Sequence, residues 1–114
     1  MVHSAQGFTK SERLLKRREY LQLSERARKV HTQHFIVIRG DVGGHPTRLG
    51  ITASRKTGNA VARNRSKRLI REFYRLHKGL FSLSDYNIIA KPGAALLEFA
   101  EIDRELTSAL QRLG

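Results

Sequence analysis

Residues 60–78 carry the pattern that most constrains what this chain can become. No Gly or Pro interrupts the segment, and Asn59 stands before it as a good N-cap. Ala62, Ser66, Leu69, Phe73, Leu76 and, just beyond, Leu80 fall within one narrow stripe at helical spacing. Opposite that stripe project Asn64, Lys67, Arg71, Arg75 and Lys78, with Arg63 and Arg68 flanking them and Arg65 nearer the core boundary. Such a helix must bury one face against a second layer and leave a row of cations in water. Gly79 reads as its end.

The rest of the chain supplies that second layer. His34-Phe35-Ile36-Val37-Ile38, within Val30 to Arg39, is a short apolar, β-branched run and predicts a strand. The turn-rich stretch Gly40 to Pro46 predicts an exposed connection. Arg48 to Ser54 then reads as a second strand, and the pair suggests an antiparallel hairpin. Asp85 to Lys91 predicts a further strand, closed by Pro92-Gly93. A helix over 16–27 precedes these strands, and an amphipathic helix over 99–113 ends the chain, with Ile102, Leu106, Ala109, Leu110 and Leu113 along one face. The order is α-β-β-(β)-α-β-α: a small α+β fold, an α-β sandwich with the basic helix packed on the sheet. Residues 1–12 are polar and read as a frayed extension; 13–114 read as one domain.

Charge narrows the function. The chain carries 22 Lys or Arg against 10 acids, a net charge of +12. Between Arg55 and Lys78 there are nine basic residues and one acid, Glu72, whereas the final helix bears Glu98, Glu101, Asp103 and Glu105. A basic field this concentrated suits a polyanion. The loop Ser54-Arg55-Lys56-Thr57-Gly58-Asn59 adds hydroxyls and cations at a helix N-terminus, where free N–H groups favour anions. The chain has no cysteine, so disulfides and thiolate metal sites are excluded. The first ten residues hold no apolar run of the signal-peptide kind. No stretch approaches the roughly 18 apolar residues that span a bilayer. The expectation is a soluble, cytoplasmic protein with no membrane role and no obligate protein partner.

An autonomous nuclease would need paired carboxylates or a metal cluster, and the acids here are scattered. His31 and His34 form an H-x-x-H pair, but on one strand they would point to opposite faces and no third ligand is apparent. A second alternative is a general structured-RNA or ribosome-associated binder, or a DNA-binding protein, that uses the basic helix for recognition; the flanking strands do not suit a helix-turn-helix, while charge alone leaves duplex DNA open. Membrane-surface binding would compete with the strands for the helix's apolar face.

The segment Gly58-Asn59-Ala60-Val61-Ala62-Arg63-Asn64-Arg65-Ser66-Lys67-Arg68-Leu69-Ile70-Arg71-Glu72 resembles the signature of the bacterial ribonuclease P protein family. Leu49 to Lys56 resembles the strand leading into that helix. Lys16-Arg17-Arg18-Glu19-Tyr20 is similar to its first helix, and Asp85 to Ala90 to its last strand. The resemblance runs from about Leu14 to Leu110. It implies a protein subunit that assists a catalytic RNA in removing the 5′ leader of precursor tRNA, with Mg²⁺ held by the RNA and no cofactor held by the protein. It also implies a left-handed crossover through the basic helix. By position, Arg63, Asn64, Arg65, Lys67, Arg68, Arg71 and Arg75 would face the catalytic RNA. Lys16, Arg17, Tyr20, Ser54, Arg55, Lys56 and Asn59 would border a cleft for the single-stranded leader. Ser24 and Ile38 stand where the family often carries aromatics, so stacking in that cleft would differ. Phe35 could compensate, although a core position suits it better.

Overall fold

The computed structural model describes residues 7–25, 27–41 and 46–114. Its regular elements are α1 (Arg17–Glu25), β1 (Arg28–His31), β2 (Phe35–Arg39), β3 (Arg48–Ala53), α2 (Ala60–Leu76), β4 (Asp85–Ala90) and α3 (Phe99–Leu113). The strands form one mixed sheet in the order β1-β2-β4-β3. β2 is antiparallel to both β1 and β4, while β3 and β4 run parallel and are joined through α2.

The expected hairpin of β2 with β3 does not exist, because β4 lies between them. The true hairpin is β1–β2. It divides the predicted 30–39 strand at a tight turn without Gly or Pro, closed by the Thr32 N–H to the Phe35 carbonyl at 2.8 Å. Thr32 lends its hydroxyl to the same turn, accepting the Phe35 N–H at 3.0 Å. Side-chain chemistry thus replaces the usual turn residues. The predicted connection at 42–45 lies outside the described residues.

Alternation along the strands sorts the core into two layers. Phe35, Val37, Leu49, Tyr86, Ile88 and Ala90 face α2 and α3, where Ile70, Phe73, Ile102 and Leu106 complete a fully buried cluster. Ile36, Ile38 and Ile89 face the other way, towards Leu14, Tyr20 and Leu23. Phe35 is fully buried, so it belongs to the core. Ile38 is also buried, beneath α1 rather than on an open cleft wall.

Helix α2 is rotated from the predicted stripe. Ser66, Ile70, Phe73 and Tyr74 are its buried residues, while Leu76 is 50 % exposed. The sheet and α3 pull the interface towards Ile70 and Tyr74, whose aromatic ring packs edge-on against Phe81 and Phe8. Gly79 does not end the helix. His77 caps it, and Lys78–Leu80 forms a separate 3₁₀ turn.

Nor is the second half of residues 1–12 a frayed extension. Phe8 packs on the core and Lys10–Glu12 forms a 3₁₀ turn. Glu12 accepts from the Tyr74 hydroxyl at 2.7 Å and from Lys78 Nζ at 2.8 Å. Burial opposes its ionisation, yet the bonds from Lys78, Tyr74 and Thr9 prevail and pull its pKa from 4.5 down to about 2. The packed domain therefore begins before residue 13.

Candidate nucleic-acid interface

Three elements carry the polar surface: α1 on one face of the sheet, the outward side of α2 on the other, and the 54–59 loop between β3 and α2. The loop is set by its own short bonds. Ser54 Oγ accepts the Lys56 N–H at 3.3 Å, Thr57 donates to the Ala90 carbonyl at 3.2 Å, and Asn59 Oδ1 accepts the Ala62 N–H at 2.9 Å. Gly58 sits at φ 142°, a conformation that favours glycine. Thr57 thereby ties the loop to the end of β4, leaving Ser54, Arg55, Lys56 and Asn59 exposed.

On α2, Asn64, Arg68 and Arg71 are exposed, and Arg63 and Lys67 are half-buried. None of the cations Arg63, Lys67, Arg68 and Arg71 is paired with a carboxylate among the described residues. Two predicted members behave otherwise. Arg65 donates from Nη1 to the carbonyls of Ala95 and Leu97 at 3.2 and 2.9 Å, so it pins the 94–96 turn. Arg75 pairs with Glu72 one turn back on the same helix, so the row of unpaired cations stops before it.

Around α1, Lys16 and Arg17 are exposed and Tyr20 is half-buried. The Tyr20 hydroxyl donates to the Leu14 carbonyl at 3.1 Å and accepts the Ile51 N–H, bridging a gap at the edge of β3. Burial pushes its pKa upward. Its ring lies directly on Gly50, where an added Cβ would come within 2.5 Å of it. Glycine is needed there for close approach. Beyond α1 the same sheet face leaves Ile36, Thr52 and Ile89 half-exposed as the floor of a trough leading towards the 54–59 loop. The side chain of Ser24 lies outside the described residues.

One feature that governs this trough was missed from sequence. Arg48 binds Asp85 with two parallel bonds of 2.8 Å and reaches Glu19 Oε2 at 2.5 Å. Glu19 in turn accepts the backbone N–H groups of Lys16 and Leu15 at 3.0 and 3.1 Å, and those bonds, Lys16 first, lower its pKa. The network fixes the start of α1 against the parallel strands. A Glu at the third position of a helix was its one readable signal.

Two of the three described histidines are tied into the fold. His31 is exposed; His34 Nδ1 contacts Glu105 Oε1 at 2.9 Å; His77 Nε2 meets Asp103 Oδ1 at 2.9 Å. No group of three or more His, Asp or Glu capable of holding a metal occurs among the described residues. No helix there is long and apolar enough to cross a membrane.

A one-domain α+β protein with a bonded loop and a face of unpaired cations is defined by these features as a candidate polyanion binder. The family model described as Ribonuclease P matches residues 8–114. The chain is 53% identical over 110 residues to the ribonuclease P protein component of Geobacter sp. (strain M21), covering 96% of this chain and 95% of that one. The Staphylococcus aureus RNase P protein superposes with a TM-score of 0.82 at 30% identity, over 91% of this chain and 96% of that one. The Thermotoga maritima RNase P protein does so with 0.80 at 30% identity, over 90% and 98%. The chain belongs to the ribonuclease P protein family.

Proposed function

We propose that this protein is the RNA-binding subunit of a ribonuclease P and assists a catalytic RNA in removing the 5′ leader from precursor tRNA. The observation that carries the reading is the set of cations Arg63, Lys67, Arg68 and Arg71 without acidic partners, presented by a helix whose other side is core. Unpaired, fixed cations are suited to phosphates, and arginine adds bidentate geometry. In this reading α2, with Asn64 among its cations, meets the catalytic RNA. The trough beside α1 takes the single-stranded leader, with Lys16, Arg17, Arg55 and Lys56 along its rim, Ser54 and Asn59 at the loop and the Tyr20 ring as a stacking surface. Arg65 and Arg75 contribute mainly to the fold and secondarily to the field. Hydrolysis belongs to the RNA and its Mg²⁺ in the cytoplasm; the protein supplies grip and alignment.

The test is single-turnover cleavage of a precursor tRNA by a bacterial catalytic RNA at low millimolar Mg²⁺, with and without the protein. Strong stimulation, with no cleavage by protein alone, is the expected result. The protein-alone arm has a further purpose, since one solved relative is a S. aureus RNase P protein mutant with defective mRNA degradation activity. Robust cleavage by this protein free of catalytic RNA, or no stimulation by folded protein, overturns the reading.

A further inference from the structure

A small pocket of about 130 Å³ opens between the 8–15 segment, the edge of β3 and α2, behind the Tyr20 ring. Its chemistry is divided. Leu15, Ile51 and Tyr20 give it an apolar wall, with Leu15 at the open rim, and Arg13, Lys67 and Arg71 surround it with cations. No carboxylate lines it. None of the three cations is paired with an acid among the described residues. Arg13 is held in place beforehand: its Nη2 donates to the Phe8 carbonyl at 2.9 Å, and its guanidinium lies 4.8 Å from the Phe8 ring centre. Lys67 and Arg71 are one turn apart on α2, so both reach the same side.

Three like charges around one small cavity repel one another, and an anion between them removes that cost. An apolar wall beside an anion site suits a ligand that is a flat ring at one end and a phosphate at the other. Size sets the ring. An enclosed cavity of about 150 Å³ holds a benzene-sized molecule, so this open pocket of about 130 Å³ seats one six-membered ring, and a fused pair would overhang its rim. We propose that this pocket is a subsite for a single unpaired pyrimidine nucleotide of bound RNA, base against Leu15 and Ile51, phosphate among Arg13, Lys67 and Arg71. That the nucleotide comes from RNA rests on the function proposed above; the pocket's preference for a pyrimidine nucleotide does not. The subsite joins the cationic side of α2 to the trough beside α1, because Tyr20 borders both.

Backbone amide NMR of the whole chain tests this with four probes: uridine monophosphate, adenosine monophosphate, inorganic phosphate and a hexauridylate. Uridine monophosphate should shift Leu15, Ile51 and Lys67 saturably, with an affinity about tenfold above that of the adenosine nucleotide. Phosphate should move Lys67 and Arg71 without moving Ile51. The hexamer should shift the same residues at lower concentration; if only the free nucleotide does so, RNA is not the source of the ligand. Leu15→Trp fills the pocket from a residue that is 56% exposed. It should abolish the uridine-induced shifts while leaving the rest of the spectrum folded. Equal affinity for the two nucleotides, unchanged binding by Leu15→Trp, or no saturable shift at all overturns the subsite. Stimulated cleavage without these shifts removes the subsite alone, and these shifts without stimulated cleavage remove the proposed subunit role alone.

Discussion

Helices α2 and α3 pack on the same face of the sheet, and both are amphipathic, yet their charges do different work. On α3 the acids are used inside the protein. Glu101 accepts the Glu98 N–H at 3.1 Å, Asp103 meets His77, and Glu105 accepts from the Thr32 hydroxyl and the His34 N–H at 2.5 and 2.7 Å. Even the helix end is closed by cations from elsewhere, Arg28 and Arg39 donating to the Leu113 carbonyl. On α2, Arg63, Lys67, Arg68 and Arg71 have no acid to meet among the described residues. Charges matched within the chain hold the fold, and charges left unmatched at fixed positions await something outside it. Partnership, rather than the count of charges, separates the two.

The largest effect expected is on the unmatched set. Replacing Lys67, Arg68 and Arg71 together with alanine should lower affinity for the catalytic RNA about a hundredfold, close to 2.7 kcal/mol. The slope of log affinity against log salt should flatten by about 2, from about 0.7 per phosphate on single strands. The thermal midpoint should hardly move, because no bond within the protein is lost. An unchanged salt slope would show that these cations do not meet phosphate.

The converse substitution is Glu105→Ala. It removes an acceptor that joins α3 to the β1–β2 turn through Thr32 and His34. Charge-assisted bonds of this kind are worth about 2 kcal/mol in total once the donors are left unsatisfied. Denaturant unfolding should register that loss, and RNA affinity measured well below the unfolding midpoint should stay within about twofold. A large loss of RNA affinity in the folded variant would mean that α3 also faces the ligand.

Much of this contrast was readable beforehand, for a physical reason. Helical periodicity and the Arg55–Lys78 charge run are local properties, so α3 was located residue by residue and the unmatched cations were recognised as a group. What escaped was set by long-range contacts. The rotation of α2 depends on Tyr74 meeting Phe8 and Phe81, which no spacing within α2 encodes. The pairing of Arg65 with the Ala95 and Leu97 carbonyls depends on a turn thirty residues away. The β1–β2 hairpin was hidden because Thr32 makes its turn without Gly or Pro. Strand order was hidden because β4, last in sequence, inserts between β2 and β3.

A matched charge also has a pH signature that an unmatched one lacks. Glu12, the acid that fastens the 8–12 segment to α2, has its pKa lowered from 4.5 to about 2 in the folded protein. Its folded pKa is the depressed one, so its contribution to stability is complete above 4.5 and is lost as pH falls from there towards 2. Glu12→Gln should remove this component: the variant and the parent should differ most near neutral pH and converge as acid is added. Parallel stability curves down to pH 2 would show that Glu12 is not held as described. Lys78 is its partner and should give the same convergence when replaced by Met.

The smallest expected effect divides a single side chain along the same line. The Tyr20 hydroxyl is matched, to the Leu14 carbonyl and the Ile51 N–H, whereas part of its ring is left to the trough. Tyr20→Phe leaves those two backbone groups without their bridge, a cost of about 1 kcal/mol where the groups stay partly hydrated. The ring, and with it any base stacking, remains. Tyr20→Ala removes both, and stacking alone is worth about 1–3 kcal/mol per base. Stimulation of cleavage on a long-leader precursor should therefore survive Tyr20→Phe within about twofold and fall roughly tenfold in Tyr20→Ala. Affinity for mature tRNA, which has no leader, should be the same in both folded variants. If phenylalanine and alanine impair the long-leader substrate equally, the hydroxyl is what the leader reads, and its bonds within the fold are secondary to one with the ligand.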